Sequence, residues 1–329
     1  MFLMQRMRFT HVISNRMLDT RSSVNGVRGG SFVAPKDGGL LVLLAALWGA
    51  SFLFMRIASP TLGPVVLIDL RVLIAGLALV LFQGASRHRP RILHRWKAYL
   101  LLGALNAALP FCLIATAELY LNASWAAILN ATTPLFTALV AYQWTHEPLT
   151  ARKLGGLMLG IIGVAVLVGW NAHSFNPHKI MAVGLSLTAA LCYGIGGVFA
   201  SRYFPGEMPL TLALGQQLAA GILLTPLAVF FLPHRVPGLG VMGSVLGLAL
   251  LSTVWGYLLY FRQIRRVGPV KTLSVTFLVP AFGVLWGWLF LHETVSMGTT
   301  MGLFVILLSV ALVADIPLTR PPQRQSTLR

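Results

Sequence analysis

Three charged residues stand inside otherwise apolar sequence and are the side chains best placed to do chemistry: Arg56, Asp69 and Arg71. A charge in hydrocarbon costs about 2.5–3.5 kcal/mol on insertion scales, so an ionisable group kept there is typical of a binding site or an ion pathway. Asp69 and Arg71 are two residues apart and point away from each other on a helix, so they are not predicted to pair. Asp69 is interpreted as interfacial. Arg71 either faces a central cavity, where it would contact an anion, or extends to the outer headgroups.

Neutral polar and aromatic side chains also recur within the apolar segments. Buried polar groups need partners, and a cavity lined by donors, acceptors and aromatic faces suits an amphipathic or zwitterionic solute. The candidates for a substrate pathway are Trp48, Arg71, Asn106, Asn130, Tyr193, Gln216 and Tyr257. Glycine permits close helix approach and proline frees a carbonyl. Points of hinge motion or of close packing are therefore predicted at Gly49, Pro134, Gly194 and Pro280.

The acids, histidines and cysteines do not form a catalytic or metal-binding pattern. Glu118 could bind a proton, although an acid in this place is more often a solvated loop residue. The His-Glu pairs at 146–147 and 292–293 are predicted on opposite faces of the membrane, so they cannot share a metal, and each glutamate is expected to cap the helix that follows. Cys112 and Cys192 each stand alone. No catalytic residue, metal site or cofactor is predicted.

The composition excludes an ordinary soluble globule. Of 329 residues, 57% are hydrophobic and 10% are charged, and the mean hydropathy is +0.79, whereas a soluble domain is about 25% charged. A membrane-spanning helix needs roughly 20 apolar residues. Ten segments are predicted to span: 40–57, 64–82, 98–117, 123–142, 154–170, 180–200, 210–232, 241–261, 272–291 and 297–314.

The distribution of basic residues predicts the orientation. The net charge of +17 lies in tails and loops and not on a soluble face, so no nucleic-acid partner is expected. Of 25 Lys and Arg residues, 21 fall in the two tails and the even-numbered loops. Basic flanks stay on the cytoplasmic side, which predicts a multi-pass protein of the cell inner (plasma) membrane with both termini cytoplasmic. Residues 1–39 form a basic tail, read as disordered or, less well, as a transit peptide, and are not predicted to be a cleaved secretory signal.

The two halves of the chain repeat each other. At an offset of 146 residues, 123–168 falls on 269–314, which pairs Pro134 with Pro280 and one His-Glu pair with the other. At an offset of 145, Arg71 falls on Gln216. Each copy has five predicted spans, an odd number, so the second copy inserts upside down relative to the first. This is the inverted-repeat plan of secondary transporters.

Four motifs at this spacing carry a family resemblance: AALWGASFLFMR, LRVLIAG, HEPLTARKLGGLMLGIIGV and HETVSMGTTMGLFVIL. With ten spans in two copies, the chain resembles the EamA family of the drug/metabolite transporter superfamily over about residues 40–315. The resemblance implies an all-α membrane carrier of small metabolites, amino acids or drugs, often outward. The predicted organisation is a cytoplasmic tail (1–39), two five-helix repeats (40–171 and 172–315) and a second cytoplasmic tail (316–329).

Three functions are compared on the sequence. A secondary transporter working by alternating access is favoured; the chain has no P-loop, so coupling to protons or plain exchange remains open, and its partners are a small solute and the bilayer. A membrane enzyme acting on a lipid or isoprenoid phosphate is the alternative, but it would need acids or histidines clustered at a membrane face. A receptor or assembly scaffold is the third possibility, and it is disfavoured because neither function requires the repeat. The oligomeric state is not predicted.

Overall fold

A computed structural model describes residues 35–84, 92–169, 177–233, 236–268, 272 and 275–314. Within these ranges the regular structure is helical and contains no β-strand. The predictions for most of the N-terminal tail and for the C-terminal tail lie outside the described residues. So do several basic positions of the predicted second loop, which falls largely on residues 85–91.

Ten helices, numbered α1 to α10, account for the described chain. Eight of them are long and apolar enough to cross a membrane, and α9 and α10 are shorter, with 17 residues each, or about 25 Å at 1.5 Å per residue. The prediction of ten transmembrane helices in two five-helix repeats is confirmed. Their bounds are α1 Pro35–Leu62, α2 Pro64–Gly84, α3 Ile92–Ala117, α4 Ala123–Thr145, α5 Ala151–Gly169, α6 Pro177–Tyr203, α7 Pro209–Phe231, α8 Leu239–Val267, α9 Val275–Leu291 and α10 Met297–Val313.

Local sequence explains where several helices begin. Between α1 and α2, Gly63 has a φ of 74°, a left-handed conformation that glycine adopts readily. At the start of α4, Asn122 caps the helix by accepting a hydrogen bond from the backbone N–H of Trp125 at 3.0 Å. At the start of α10, Ser296 accepts one from Thr299 at 3.2 Å. Such caps satisfy N–H groups that the first helical turn leaves without a partner.

The His-Glu turns show the repeat in three dimensions. His146 and His292 have φ values of 57° and 54°, the left-handed conformation that is uncommon for a residue with a side chain. In each turn the N–H of the following glutamate bonds to the carbonyl six residues earlier, at 3.4 Å in the first repeat and 3.1 Å in the second. A residue in the left-handed conformation is common at the ends of helices, where it reverses the chain. The paired residues of the sequence therefore end α4 and α9 in the same way.

Three helices depart from regular α geometry near their middles. Residues Ala104–Ala108 of α3 and Gly247–Trp255 of α8 are π-helical, and these segments occupy overlapping positions in the two repeats at an offset of 145. Helix α4 is interrupted at Ala131 and Thr132, between Ala123–Asn130 and Thr133–Thr145. Because π segments are frequent at functional sites, the middle of these helices is a candidate location for the functional site.

One apolar core of the described residues lies where α4, α5 and α10 meet. Its buried members include Leu135 of α4, Leu157 and Leu167 of α5, and Ile306 and Val310 of α10. This core is apolar, whereas the inward faces of α2, α3, α6, α7 and α8 carry the polar side chains described next.

Candidate functional site

Arg71 points into the interior of the helix bundle. Its side chain is 5% exposed, and its Nε donates a hydrogen bond to Thr253 Oγ1 of α8 at 3.0 Å. One terminal nitrogen lies 3.9 Å from the sulfur of Met55 in α1. The guanidinium carbon lies 3.6 Å from the ring centroid of Phe111 in α3, a cation–π contact. These contacts from three other helices match the cavity-facing interpretation of Arg71 and not the headgroup one.

None of these contacts of Arg71 removes its positive charge. A hydroxyl, a thioether and an aromatic ring are neutral groups, and a buried charge without an ionic partner is costly. The geometry therefore leaves a fixed cation, with donor capacity remaining on its guanidinium, at the centre of the helices.

A chain of hydrogen bonds joins three of the other predicted pathway residues. Gln216 of α7 donates from Nε2 to the hydroxyl of Tyr257 in α8 at 2.6 Å. Asn106 of α3 donates from Nδ2 to Gln216 Oε1 at 3.4 Å. Asn106 lies within the π-helical segment of α3, so the departure from α geometry occurs where this side chain enters the network.

The arginine and the hydrogen-bonded chain belong to one site. The ring of Tyr193 in α6 meets the ring of Phe111 edge-on, with centroids 6.2 Å apart, and Phe111 also contacts the Arg71 guanidinium. Tyr257 lies one helical turn after Thr253, the hydrogen-bond partner of Arg71. We call this site the central polar cluster; its members are Arg71, Asn106, Tyr193, Gln216, Thr253 and Tyr257. Five of them were predicted from the sequence. The repeat-related pair, Arg71 and Gln216, lies within it.

Trp48 borders the cluster, whereas Asn130 makes different contacts. Trp48 lies 5.3 Å from Tyr260 between ring centroids, and its Nε1 packs closely against Gly256, next to Tyr257. The side-chain oxygen of Asn130 is buried and has no hydrogen-bond partner among the described residues. The main-chain carbonyl of Asn130 accepts a hydrogen bond from the hydroxyl of Thr133 at 2.8 Å. This bond crosses the interruption of α4. The pathway role of Asn130 stays a prediction.

The predicted glycines lie at repeat-related close contacts between helices. A Cβ at Gly49 would come within 2.7 Å of Phe282 Cβ and 2.9 Å of the Gly283 nitrogen in α9. A Cβ at Gly194 would come within 2.9 Å of the Thr137 nitrogen in α4. Both α1 and α6 are continuous at these positions. The geometry is that of close packing, without local unwinding.

The two predicted prolines occupy different helical positions. Pro134 is among the first residues of the second segment of α4, where a missing N–H costs little. Pro280 lies inside α9, which continues through it. The repeat thus pairs a helix start in one half with an internal proline in the other.

Three acidic residues are enclosed or hydrogen-bonded by other helices, and two of them, Glu118 and Glu293, differ from their predicted surroundings. Asp69, interpreted as interfacial, is 6% exposed and accepts a hydrogen bond from Thr225 of α7 at 2.9 Å. Glu118 is 0% exposed, so its prediction as a solvated loop acid is wrong. Glu293 does not cap α10; its carboxylate accepts bonds from the backbone nitrogens of Ala123 and Ser124 at 2.7 and 3.1 Å, and so caps α4. Both errors arise because the neighbours of these acids are far away in sequence.

Sequence reasoning missed Phe111 as a site residue and did not select Thr253. An apolar residue in an apolar helix carries no signal, and Phe111 gains its role only from the arginine above its ring. Thr253 resembles many other hydroxyl residues that bond within their own helix. As for metals, no group of three or more His, Cys, Asp or Glu able to hold an ion is found within the described part of the chain.

Comparison with known proteins agrees with this architecture. The model of the EamA-like transporter family matches residues 37–169 and 180–314. The chain is 26% identical over 281 residues to the uncharacterized transporter YvbV of Bacillus subtilis (83% of this chain, 90% of the relative). It is 25% identical over 276 residues to protein PecM of Dickeya dadantii (83% and 90%).

A third bacterial relative and a solved structure extend the comparison. The uncharacterized inner membrane transporter YedA of Escherichia coli is 27% identical over 283 residues (84% of this chain, 89% of the relative). A crystal structure with 17% identity has the same fold, with a TM-score of 0.59 over 84% of this chain and 96% of that one. The family match covers both repeats and confirms the resemblance seen in the motifs. The chain belongs to the EamA-like transporter family.

Proposed function

We propose that this protein is a secondary transporter that moves a small organic solute bearing an anionic group, such as a carboxylate, across the cytoplasmic membrane. The observation that carries this proposal is Arg71, a buried cation whose described contacts are all neutral. A guanidinium is suited to bind a carboxylate through two parallel hydrogen bonds. A solute anion at this point would supply the charge that the described contacts do not.

The remaining members of the central polar cluster support a solute that is not purely anionic. Asn106, Gln216 and the two tyrosines offer neutral donors, acceptors and aromatic faces. Such groups suit an amphipathic or zwitterionic metabolite, an amino acid included, better than a highly charged one.

The arrangement of the two repeats supports the proposal of alternating access. Helices α2 and α3 of the first repeat meet α6, α7 and α8 of the second at the cluster, so a rocking of one half against the other would expose the same site to either side. Outward transport is the direction that the family resemblance implies. Inside-out membrane vesicles are therefore expected to accumulate the solute.

A ligand-stabilisation screen tests the proposed function. Binding to the native state raises apparent stability, so the thermal midpoint of the purified protein is measured with carboxylates, zwitterionic amino acids, sugars and organic cations. Compounds with a carboxylate are expected to raise the midpoint, and cations are not. A rise with cations or sugars alone would contradict the anion-binding role. The alternative of a lipid-phosphate enzyme has no supporting observation among the described residues, and two of the three relatives above, YvbV and YedA, are named as transporters.

The orientation has its own test. Because the basic residues concentrate in the tails and even-numbered loops, reporters fused after Arg91 and Arg266 are expected to report the cytoplasm. Reporters fused after Leu119 and Glu293 are expected to report the outside. An external signal at Arg91 would reverse the orientation.

A further inference from the structure

We propose that Glu118 is a proton-binding site coupled electrostatically to Arg71, so that the transporter binds a proton together with its anionic solute. The first part stands on the surroundings of Glu118 itself. The part that concerns the solute rests on the proposed function.

Glu118 is the residue that follows α3, and its carboxyl group is enclosed. The side chain is 0% exposed, and both carboxyl oxygens are buried without a hydrogen-bond partner among the described residues. The nearby Arg56 of α1 donates a hydrogen bond to the main-chain carbonyl of Glu118. An ionised carboxylate that has lost water and gained no donor is strongly disfavoured, which favours the protonated form.

Glu293, which acts on Glu118 electrostatically, is an acid whose carboxylate has hydrogen-bond donors. Its two carboxyl oxygens accept bonds from the backbone of Ala123 and Ser124 and, at 2.5 Å, from the hydroxyl of Ser124. These donors at a helix N-terminus stabilise its negative charge. The two acids therefore have opposite environments: the Glu293 carboxylate has three hydrogen-bond donors, and the Glu118 carboxyl has none among the described residues.

Three charged groups act on the Glu118 carboxyl from the elements around it. Burial raises the pKa of Glu118 well above its ordinary value, Glu293 raises it further, and Arg56 and Arg71 oppose the shift. Glu118 thus lies within the field of the arginine at the centre of the cluster. Glu118 follows Phe111 by seven residues, about 10 Å along α3, and the Phe111 ring lies 3.6 Å from the Arg71 guanidinium, so this proximity links Glu118 to the solute site.

The link makes proton binding and anion binding reciprocal. When an anion neutralises Arg71, the cation no longer favours ionised Glu118, and the carboxylate takes a proton from water to form an O–H bond. Conversely, protonation of Glu118 removes a competitor for the charge of Arg71. Coupling between two sites is necessarily mutual, so each ligand strengthens the binding of the other.

Infrared spectroscopy of the purified protein in lipid tests the proton site without knowledge of the solute. The carbonyl stretch of a protonated carboxyl group is followed from mildly acidic to mildly alkaline pH. A band that titrates well above the ordinary range of glutamic acid and is missing in Glu118→Gln is expected. The control Glu147→Gln, at the exposed glutamate of the other His-Glu turn, should retain the band. A band absent at every pH, or one that does not titrate, would overturn the proposal.

Arg71→Gln provides a second variant that leaves Glu118 in place. Removing a cation that favours the ionised form is expected to move the titration of Glu118 upward by about one pH unit. An unchanged midpoint would refute the electrostatic link.

Benzoate serves as the probe for coupling to an anion. In the wild-type protein it is expected to raise the titration midpoint of Glu118, as Arg71→Gln does, and to have no such effect in Arg71→Gln. If benzoate stabilises the protein but leaves the midpoint unchanged, the coupling is wrong. If no carboxylate of the screen binds, the proposed function and the coupling both fail, while the titration of Glu118 still decides the proton site.

Discussion

Arg71→Gln is expected to weaken the binding of carboxylate solutes by about 10- to 100-fold. Hydrogen bonds to charged groups contribute about 1.5–3 kcal/mol, and each 1.4 kcal/mol corresponds to a factor of ten. Glutamine removes the charge but retains a donor for Thr253, which now bonds to Arg71 Nε. It also makes position 71 match its repeat partner Gln216. The measurement is the concentration of carboxylate needed to stabilise the purified protein, followed by transport in vesicles at matched expression.

Arg71→Lys separates charge from geometry. Lysine keeps the positive charge but is a point donor and cannot form the paired bonds of a guanidinium. It should therefore show a smaller loss than glutamine, with carboxylates still preferred over cations.

Arg262→Gln is the matched control, because Arg262 is an exposed arginine near the end of α8. It removes one positive charge outside the cluster and should leave carboxylate binding unchanged. Equal affinities in wild-type, Arg71→Gln and Arg262→Gln proteins would show that Arg71 serves packing alone and that the solute binds elsewhere.

The membrane architecture was largely predictable because lipid limits what a chain can do. Backbone N–H and C=O groups in hydrocarbon must form hydrogen bonds within the protein, so a long apolar segment predicts a helix. The repeat was readable because residues such as Pro134 and Pro280 recur at one register. The same spacing reappears in the left-handed turns at His146 and His292.

The inside of the site was only partly predictable, for a reason specific to membrane helices. In a soluble helix the polar face marks the outside, whereas here both the lipid-facing and the packed faces are apolar. Arg71 and Gln216 stood out by polarity, but nothing indicated that Phe111 would lie beneath the guanidinium. The π-helical segment of α8 had no proline or other local mark.

Long-range partners were the second limit. Glu293 is 169 residues from Ser124, and its carboxylate accepts hydrogen bonds from the N–H and hydroxyl of Ser124. Sequence rules for helix caps consider only residues within a few positions of the helix start, so they could not predict this pair. Glu118 looked like a loop acid because it follows an apolar helix, and only the folded arrangement shows that it is enclosed. Sequence specified which residues were unusual but not which of them meet.

Gly194→Ala is expected to destabilise the protein by about 1–3 kcal/mol, the range for overpacking in a well-packed interior. The added Cβ would lie 2.9 Å from the Thr137 nitrogen and 3.0 Å from the Phe136 carbonyl carbon. These are backbone atoms, which cannot rotate away, so α6 and α4 must separate. Gly49→Ala should behave alike, because its Cβ meets the repeat-equivalent atoms of α9. Thermal unfolding in detergent and the amount of protein in the membrane are the measurements.

Gly197→Ala gives the control on the same helix. Gly197 is one turn from Gly194, is exposed, and a Cβ there would meet nothing within 4 Å. Alanine also has the higher helix propensity, by about 1 kcal/mol, so this variant should be as stable as the wild type or more so. The comparison isolates the contact, since both changes add one methyl group to one helix. If Gly194→Ala and Gly197→Ala unfold at the same temperature, then α6 and α4 are not in close contact at Gly194, and the repeat-related packing of Gly49 against α9 loses its support as well.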